Sequence, residues 1–273
     1  MMLALPFPAI DPVLIAVGPL AIRWYALAYI FGLLIGWQLA RMIAARDALW
    51  GGASPMRPVD FDDALFWATI GVILGGRLGY VLFYNPDYFL QHPTEAFMVW
   101  KGGMSFHGGL AGTLLALILF ARSRRIAVLS LLDVAGIVAP VGLLFGRIAN
   151  FINGELWGRP SDVPWAVIFP SGGNVPRHPS QLYEAALEGL LLLAIMLVSV
   201  RLGVLRRPGL AAGIFGIGYG LGRITGEFFR EPDPQLGYLA FGTTMGMLLS
   251  VPVVIGGIAL VLHAARSPVR GAP

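Results

Sequence analysis

The sequence predicts an all-α integral membrane protein with seven transmembrane helices, and three observations carry that expectation. Of 273 residues, 57% are hydrophobic and 12% charged, about half the charged share of an ordinary soluble domain. Apolar stretches of roughly 20 residues recur along the whole length, each long enough to cross a hydrocarbon core of about 30 Å. Glycine and proline are abundant, at 36 and 20 residues, which suits membrane helices better than soluble ones.

The expected spans fall at about 18–41, 61–84, 106–121, 128–149, 181–201, 209–228 and 238–264, in a single polytopic membrane domain over 1–273. The first carries Arg23, Trp24 and Tyr25 near its start, and the second carries Arg77 toward its end. The third is the shortest and opens on His107. The fourth contains the run VAGIVAPVGLLF, followed directly by GRIANFINGELWGRP at 146–160. A loop of about 150–180, rich in Gly, Pro and Trp, separates it from the fifth span and reads as a lid or substrate rim. The sixth span ends on Arg223 and Glu227. The opening residues MMLALPFPAIDPVLIAVG lack a basic leader region and read as mature sequence.

Basic residues set the orientation. One set of connections holds Arg41, Arg46, Arg57, Arg122, Arg124, Arg125, Arg201, Arg206, Arg207, Arg266 and Arg270, eleven in all; the other holds only Lys101, Arg159, Arg177 and Arg230. Positive-inside reasoning puts the first set in the cytoplasm, the N-terminus outside and the C-terminus inside. Arg23, Arg77, His107, Arg147, Asn150, Arg223 and Glu227 then converge on the outer half of the membrane. A formal charge of +4 and a pI near 9.7 accordingly read as topology signal and anionic-lipid affinity, not nucleic-acid binding. The absence of cysteine excludes disulfides, thiolate metal sites and a cysteine nucleophile.

A charged residue deep in a span costs about 2.5–3.5 kcal/mol on insertion scales, so each one needs a reason. Arg147 and Asn150 are three apart and share a helical face; Arg147 alone could be snorkelling, but Asn150, Asn153 and Glu155 crowd the same place. Arg223 and Glu227 are spaced i, i+4, which reads either as an internal ion pair or as an anion site in which Glu227 orients the guanidinium. Gly216, Gly218, Gly220 and Gly222 precede them and let a helix or lipid come close. His107 lies among Gly108, Gly109 and Gly112, which leave its imidazole unshielded for proton transfer or substrate contact. In RHPSQLYEA, His178 precedes Gln181 and Glu184, with Ser180 read as a helix cap. Arg77 is either a partner of an acid or a snorkelling anchor, and Tyr25 fits an interfacial aromatic belt.

Walker, HExxH, GxSxG and Asp-rich metal motifs are missing from the sequence, and no cofactor or metal is expected. Guanidinium groups, a glutamate, amides and an imidazole suit a phosphate-bearing lipid headgroup and negative charge on a departing phosphate. A transporter or flippase for anionic lipid is the rival reading; against it, the charges favour one side and no inverted repeat is visible.

The segments MSFHGGLAG, GRIANFINGELWGRP, RHPSQLYEA and IGYGLGRITGEFFREPD, with RWYALAY and LGGRLGYVLFYNP, resemble the bacterial phosphatidylglycerol–prolipoprotein diacylglyceryl transferase family, in order and over nearly the whole chain. The resemblance implies a multi-pass enzyme of the bacterial cytoplasmic (inner) membrane with its active site on the extracytoplasmic side. Its partners would be phosphatidylglycerol and the lipobox cysteine of a prolipoprotein signal peptide. The thiol sulfur would attack the glyceryl carbon, forming a thioether and releasing glycerol 1-phosphate. His107, Arg147 and Arg223 would be catalytic, with His107 the candidate base. Tyr25, Asn150, Asn153, Glu155, Gly158, Tyr219 and Glu227 would contact substrate.

Overall fold

The computed structural model describes residues 5–8, 10–18, 20–84, 86–232 and 237–271, without the side chains of residues 17, 20 and 106. Residues 1–4 and 9 of the opening segment and residue 19 of the first expected span lie outside the described residues. The described chain is mostly helical: α1 Trp24–Ala44, α2 Asp60–Phe83, α3 Pro86–Gln91, α4 Phe106–Ser123, α5 Val128–Ile152, α6 Ser180–Glu184, α7 Leu192–Arg201, α8 Leu210–Glu227 and α9 Met245–Arg266. A π-helical turn, Ala185–Leu191, joins α6 to α7. Five helical stretches are long and apolar enough to cross a membrane, namely α1, α2, α5, the rod Ser180–Arg201 and α9. Large apolar side chains lie exposed along α1, α2 and α9, among them Phe31, Leu33, Phe66, Leu74 and Ile255. In water such surfaces would associate, so they mark lipid-facing sides.

Helix starts follow their caps. Ser105 accepts the Gly108 N–H at 3.2 Å, and Thr244 accepts the Met247 N–H at 3.3 Å. Asp60, Asp62 and Asp63 occupy the first turn of α2, where the helix dipole favours acids. At α8 the cap comes from another helix. Asp133 of α5, fully buried, accepts the N–H of Gly209 at 2.7 Å and of Ala212 at 2.8 Å.

Two span edges differ from expectation. The first span begins at Trp24, because residues 20–23 form a strand, β3 Leu20–Arg23, paired antiparallel with β2 Val13–Val17. The last begins at Met245, because Ala240–Gly242 form a 3-10 turn with Phe241 at φ 61°, and the Thr244 cap restarts the helix. Hydropathy windows count apolar residues but not backbone pairing, so both apolar lead-ins were absorbed into the spans.

α5 lies at the centre, against α1, α4, the Ser180–Arg201 rod and α8. α2 and α4 meet through glycines: a Cβ on Gly112 would sit 2.8 Å from the Gly75 Cα, and one on Gly108 would sit 2.9 Å from the Gly79 Cα. Gly108 and Gly112 beside His107 thus serve helix packing, while His107 itself stays exposed. At the end of the bundle formed by the starts of α2 and α5, Arg41 pairs with Asp62 at 2.9 Å, and Arg124 pairs with Asp63. At the opposite end, β1 Leu5–Pro6, β4 Val167–Ile168 and β5 Pro176–Arg177 form a small sheet. Phe7 beside β1 packs on Phe151 of α5 and Phe169 beyond β4, ring centroids 5.6 and 5.5 Å apart. That aromatic contact fastens the 153–179 connection to the end of α5.

Candidate functional site

Three helices bring their charges to one buried point. Arg147 of α5 donates from Nε to Glu184 Oε2 at 2.8 Å, and its Nη2 lies 3.5 Å from Glu188 Oε2. Arg223 of α8 donates from Nη1 to Glu184 Oε1 at 2.8 Å and from Nη2 to Glu227. Arg230, just past α8, has Nη1 3.6 Å from the same Glu184 oxygen. Glu184 therefore faces three guanidinium groups while its side chain is 2% exposed. The cluster holds three charges of each sign, so burial is compensated locally. A guanidinium has five N–H donors, so Arg147 and Arg223 retain donors after these pairings.

Glycines make the room. A Cβ on Gly226 would stand 3.1 Å from Glu184 Cγ, one on Gly222 would stand 3.4 Å from Glu188 Cγ, and one on Gly246 would stand 2.6 Å from Glu227 Cδ. Gly216 and Gly220 instead seat α8 on α9, near Gly257 and Ser250. The glycine-rich face thus packs helix on helix and clears space for the acids. The π-helical turn begins at the residue after Glu184 and contains Glu188; such turns recur at functional sites because they re-aim side chains along a helix. Tyr219 lies one turn before Arg223, stacked on Phe215 with centroids 5.8 Å apart, within electrostatic range of Glu188, Arg223 and Arg147.

The connection after α5 closes over this cluster. Asn150, buried, donates Nδ2 to Glu155 Oε1 at 2.8 Å, and Asn153 donates to the same oxygen at 3.4 Å. Tyr25 of α1 bonds Tyr29 at 3.1 Å and lies within electrostatic range of Glu155. Gln181 donates to the Glu155 carbonyl at 2.6 Å, and Arg159 donates to the Glu227 and Arg230 carbonyls, each at 2.9 Å. Gly158 is buried where strands of the connection cross; its N–H donates to the His178 carbonyl at 2.9 Å. A Cβ there would stand 2.6 Å from that carbonyl oxygen. Gly158→Ala is accordingly expected to cost about 1–3 kcal/mol through overpacking, read as a lower thermal midpoint in detergent, with transfer activity falling alongside it.

The geometry corrects several expectations. Gly158, expected at the substrate, is also packed too closely against Phe229 and His178 to take a Cβ without displacement. Arg77 is neither paired with an acid nor snorkelling: buried, it donates to the carbonyls of Glu95, Ala96, Gly102 and Gly103 at 2.5 to 3.1 Å and so folds the α3–α4 connection. Ser180 does not cap α6; its hydroxyl donates to the Leu156 carbonyl at 3.1 Å. His178 bonds the Tyr183 hydroxyl at 3.1 Å; burial first, then the Arg159 charge, pushes its imidazole below its usual range. His107 is exposed on the first turn of α4, a helix packed chiefly on α2.

The sequence reading missed Glu184 as the hub, Glu188 altogether, and Arg230 as a cluster member. The signal was present for the two acids: QLYEAALEG places carboxylates four apart inside an apolar span, the same anomaly that drew attention to Arg147.

A family model described as prolipoprotein diacylglyceryl transferase matches residues 12–263. The chain is 60% identical over 272 residues to the phosphatidylglycerol–prolipoprotein diacylglyceryl transferase of Rhodopseudomonas palustris, covering 99% of this chain and 95% of that protein. It is 58% identical over 275 residues to the enzyme of the same name from Rhodospirillum rubrum, covering 100% and 99%. A third relative so named, from Methylocella silvestris, is 60% identical over 260 residues, 95% of this chain and 96% of the relative. A family model over residues 12–263 and identity of this order over whole chains mean that the chain belongs to the prolipoprotein diacylglyceryl transferase family.

Proposed function

We propose that this protein transfers the diacylglyceryl group of phosphatidylglycerol to the lipobox cysteine thiol of a prolipoprotein, releasing glycerol 1-phosphate. The observation that carries the reading is the convergence of Arg147 and Arg223, from separate helices, on Glu184. Their side chains are 16% and 14% exposed, so they are largely desolvated yet still reachable. In such a site their remaining N–H groups hold the headgroup phosphate by charge-assisted hydrogen bonds. The sulfur bonds to the glyceryl carbon as the carbon–oxygen bond breaks, and its electron pair goes to the phosphate oxygen. The phosphate gains negative charge in that step, and fixed guanidiniums stabilise it more than they stabilise the bound lipid. His107 accepts the thiol proton. Tyr25, Asn150, Asn153, Glu155, Gly158, Tyr219 and Glu227 shape the site around the reacting groups.

The same reading makes 1–273 one polytopic domain of the bacterial inner membrane, with seven spans, the N-terminus outside and the C-terminus in the cytoplasm. The eleven-to-four distribution of basic residues between the two sets of connections supports that orientation. It puts the arginine cluster on the extracytoplasmic side.

Purified protein incubated with phosphatidylglycerol and a lipobox peptide is expected to add one diacylglyceryl group to the peptide, seen by mass spectrometry. The Cys→Ser peptide is expected to stay unmodified. Movement of lipid without covalent transfer would instead indicate a transporter and end this reading.

A further inference from the structure

Among the described residues, two buried side-chain oxygens on the turns either side of Glu184 have no hydrogen-bond partner: Gln181 Oε1 and Glu188 Oε1. Both belong to the rod that carries Glu184, and the two residues are 1% and 0% exposed. Bulk water therefore does not satisfy either oxygen, and a buried acceptor left unpaired is a standing penalty that a ligand's donor can relieve.

The two oxygens lie on opposite sides of Glu184 along the helix. Gln181 is three residues before it, toward the 153–158 connection; Glu188 is four residues beyond, in the π-helical turn. With the phosphate held by Arg147 and Arg223, Gln181 lies on the aqueous side and Glu188 on the acyl-chain side. A phosphatidylglycerol molecule presents hydroxyl donors only on its aqueous side, in the headgroup glycerol; its acyl-ester side has none. The orientation of the Gln181 amide is also set. Its Nε2 donates to the Glu155 carbonyl at 2.6 Å, which requires the nitrogen there and leaves the oxygen as the idle atom.

We propose that Gln181 Oε1 accepts a hydrogen bond from a hydroxyl of the headgroup glycerol, making Gln181 a residue that selects polyol-headed anionic phospholipids. The assignment rests on the transferase reading above. Glu155 and Gln181 then form one unit, the backbone of the first fixing the amide of the second. A lipid with the same phosphate but no headgroup hydroxyl keeps its contacts to the arginines and loses only this one.

The test compares phosphatidylglycerol with phosphatidylpropanol, which lacks both headgroup hydroxyls, as donors to one lipobox peptide. The wild-type protein is expected to favour phosphatidylglycerol by about tenfold in kcat/KM. Gln181→Met is expected to bring the two lipids within about threefold, by slowing transfer from phosphatidylglycerol alone. If Gln181→Met inserts poorly, Gln181→Asn, which withdraws the oxygen by one methylene, is read the same way per inserted molecule. Equal use of both lipids by the wild type overturns the proposal. So does a variant that slows both lipids by the same factor, the signature of a purely structural amide. A wild-type protein inactive with either lipid would fail the transferase reading instead.

Discussion

Arg223→Ala is expected to lower kcat/KM for diacylglyceryl transfer by about 10²–10³-fold, the size associated with removing one fixed group that stabilises transition-state charge. Arg147→Ala is expected to behave alike. Each arginine reaches Glu184 at 2.8 Å from a different helix, so neither can take over the other's position. Arg223 also holds Glu227, whose Oε2 accepts from Thr244 at 2.5 Å. Removing it leaves two buried acids short of a counter-charge, which costs about 3–5 kcal/mol when a buried pair is broken. Arg223→Lys separates charge from shape. A lysine restores the charge but has no planar fork to meet Glu184 and Glu227 together, so a partial rescue of stability with little recovery of rate is the expected pattern. Mass spectrometry of a model lipoprotein measures the rate, and thermal unfolding in detergent measures the stability. Near-normal thioether formation in either alanine variant removes the arginines from the mechanism.

The second large effect is expected at Glu184, which RHPSQLYEA contains but to which the sequence assigned no role. Glu184→Ala leaves Arg147, Arg223 and Arg230 facing one another in a region where Glu184 is 2% exposed. The loss is expected to reach about 3–5 kcal/mol in stability. Glu184→Gln is the informative variant, because it keeps the shape and one acceptor. It is expected to lower kcat by about 10²-fold without raising KM for phosphatidylglycerol, since the guanidiniums lose their aim but not their attraction for phosphate. An unchanged kcat with a raised KM would show instead that Glu184 contributes to binding and not to orientation.

The Arg147 story shows what was legible in the primary structure. A guanidinium three residues from an asparagine at the end of an apolar run is visible as an anomaly, because the energetic cost of charge in a span depends on composition and depth. Asn150 and Glu155 were likewise legible as neighbours, being five residues apart, and they do bond at 2.8 Å. Their partner Gln181 lies 26 residues beyond Glu155, and nothing in local spacing points to it. Arg77 is the converse case. Its position in a span drew two readings based on charge, yet all four of its acceptors are backbone carbonyls of residues 95–103. Main-chain oxygens are invisible in side-chain patterns.

Glycine readings divided along the same line. Those of α8 were expected to admit a close neighbour, and they do. Which neighbour was another matter: Gly216 and Gly220 receive α9, whereas Gly222 and Gly226 receive the Glu188 and Glu184 side chains. Rotation of one helix about its axis against another selects among these outcomes, and that rotation is set by the whole interface.

The amino-acid sequence by itself determined the membrane class, the family and the two arginines singled out as candidates, because these follow from composition, run length and motif. Only the tertiary structure decided that Glu184 joins those arginines, that Gly158 is packed too closely for a Cβ, and that Gln181 holds an idle acceptor. The physical reason is that a buried hydrogen bond is fixed by distance and direction between atoms far apart in the chain, and helix register and rotation supply both.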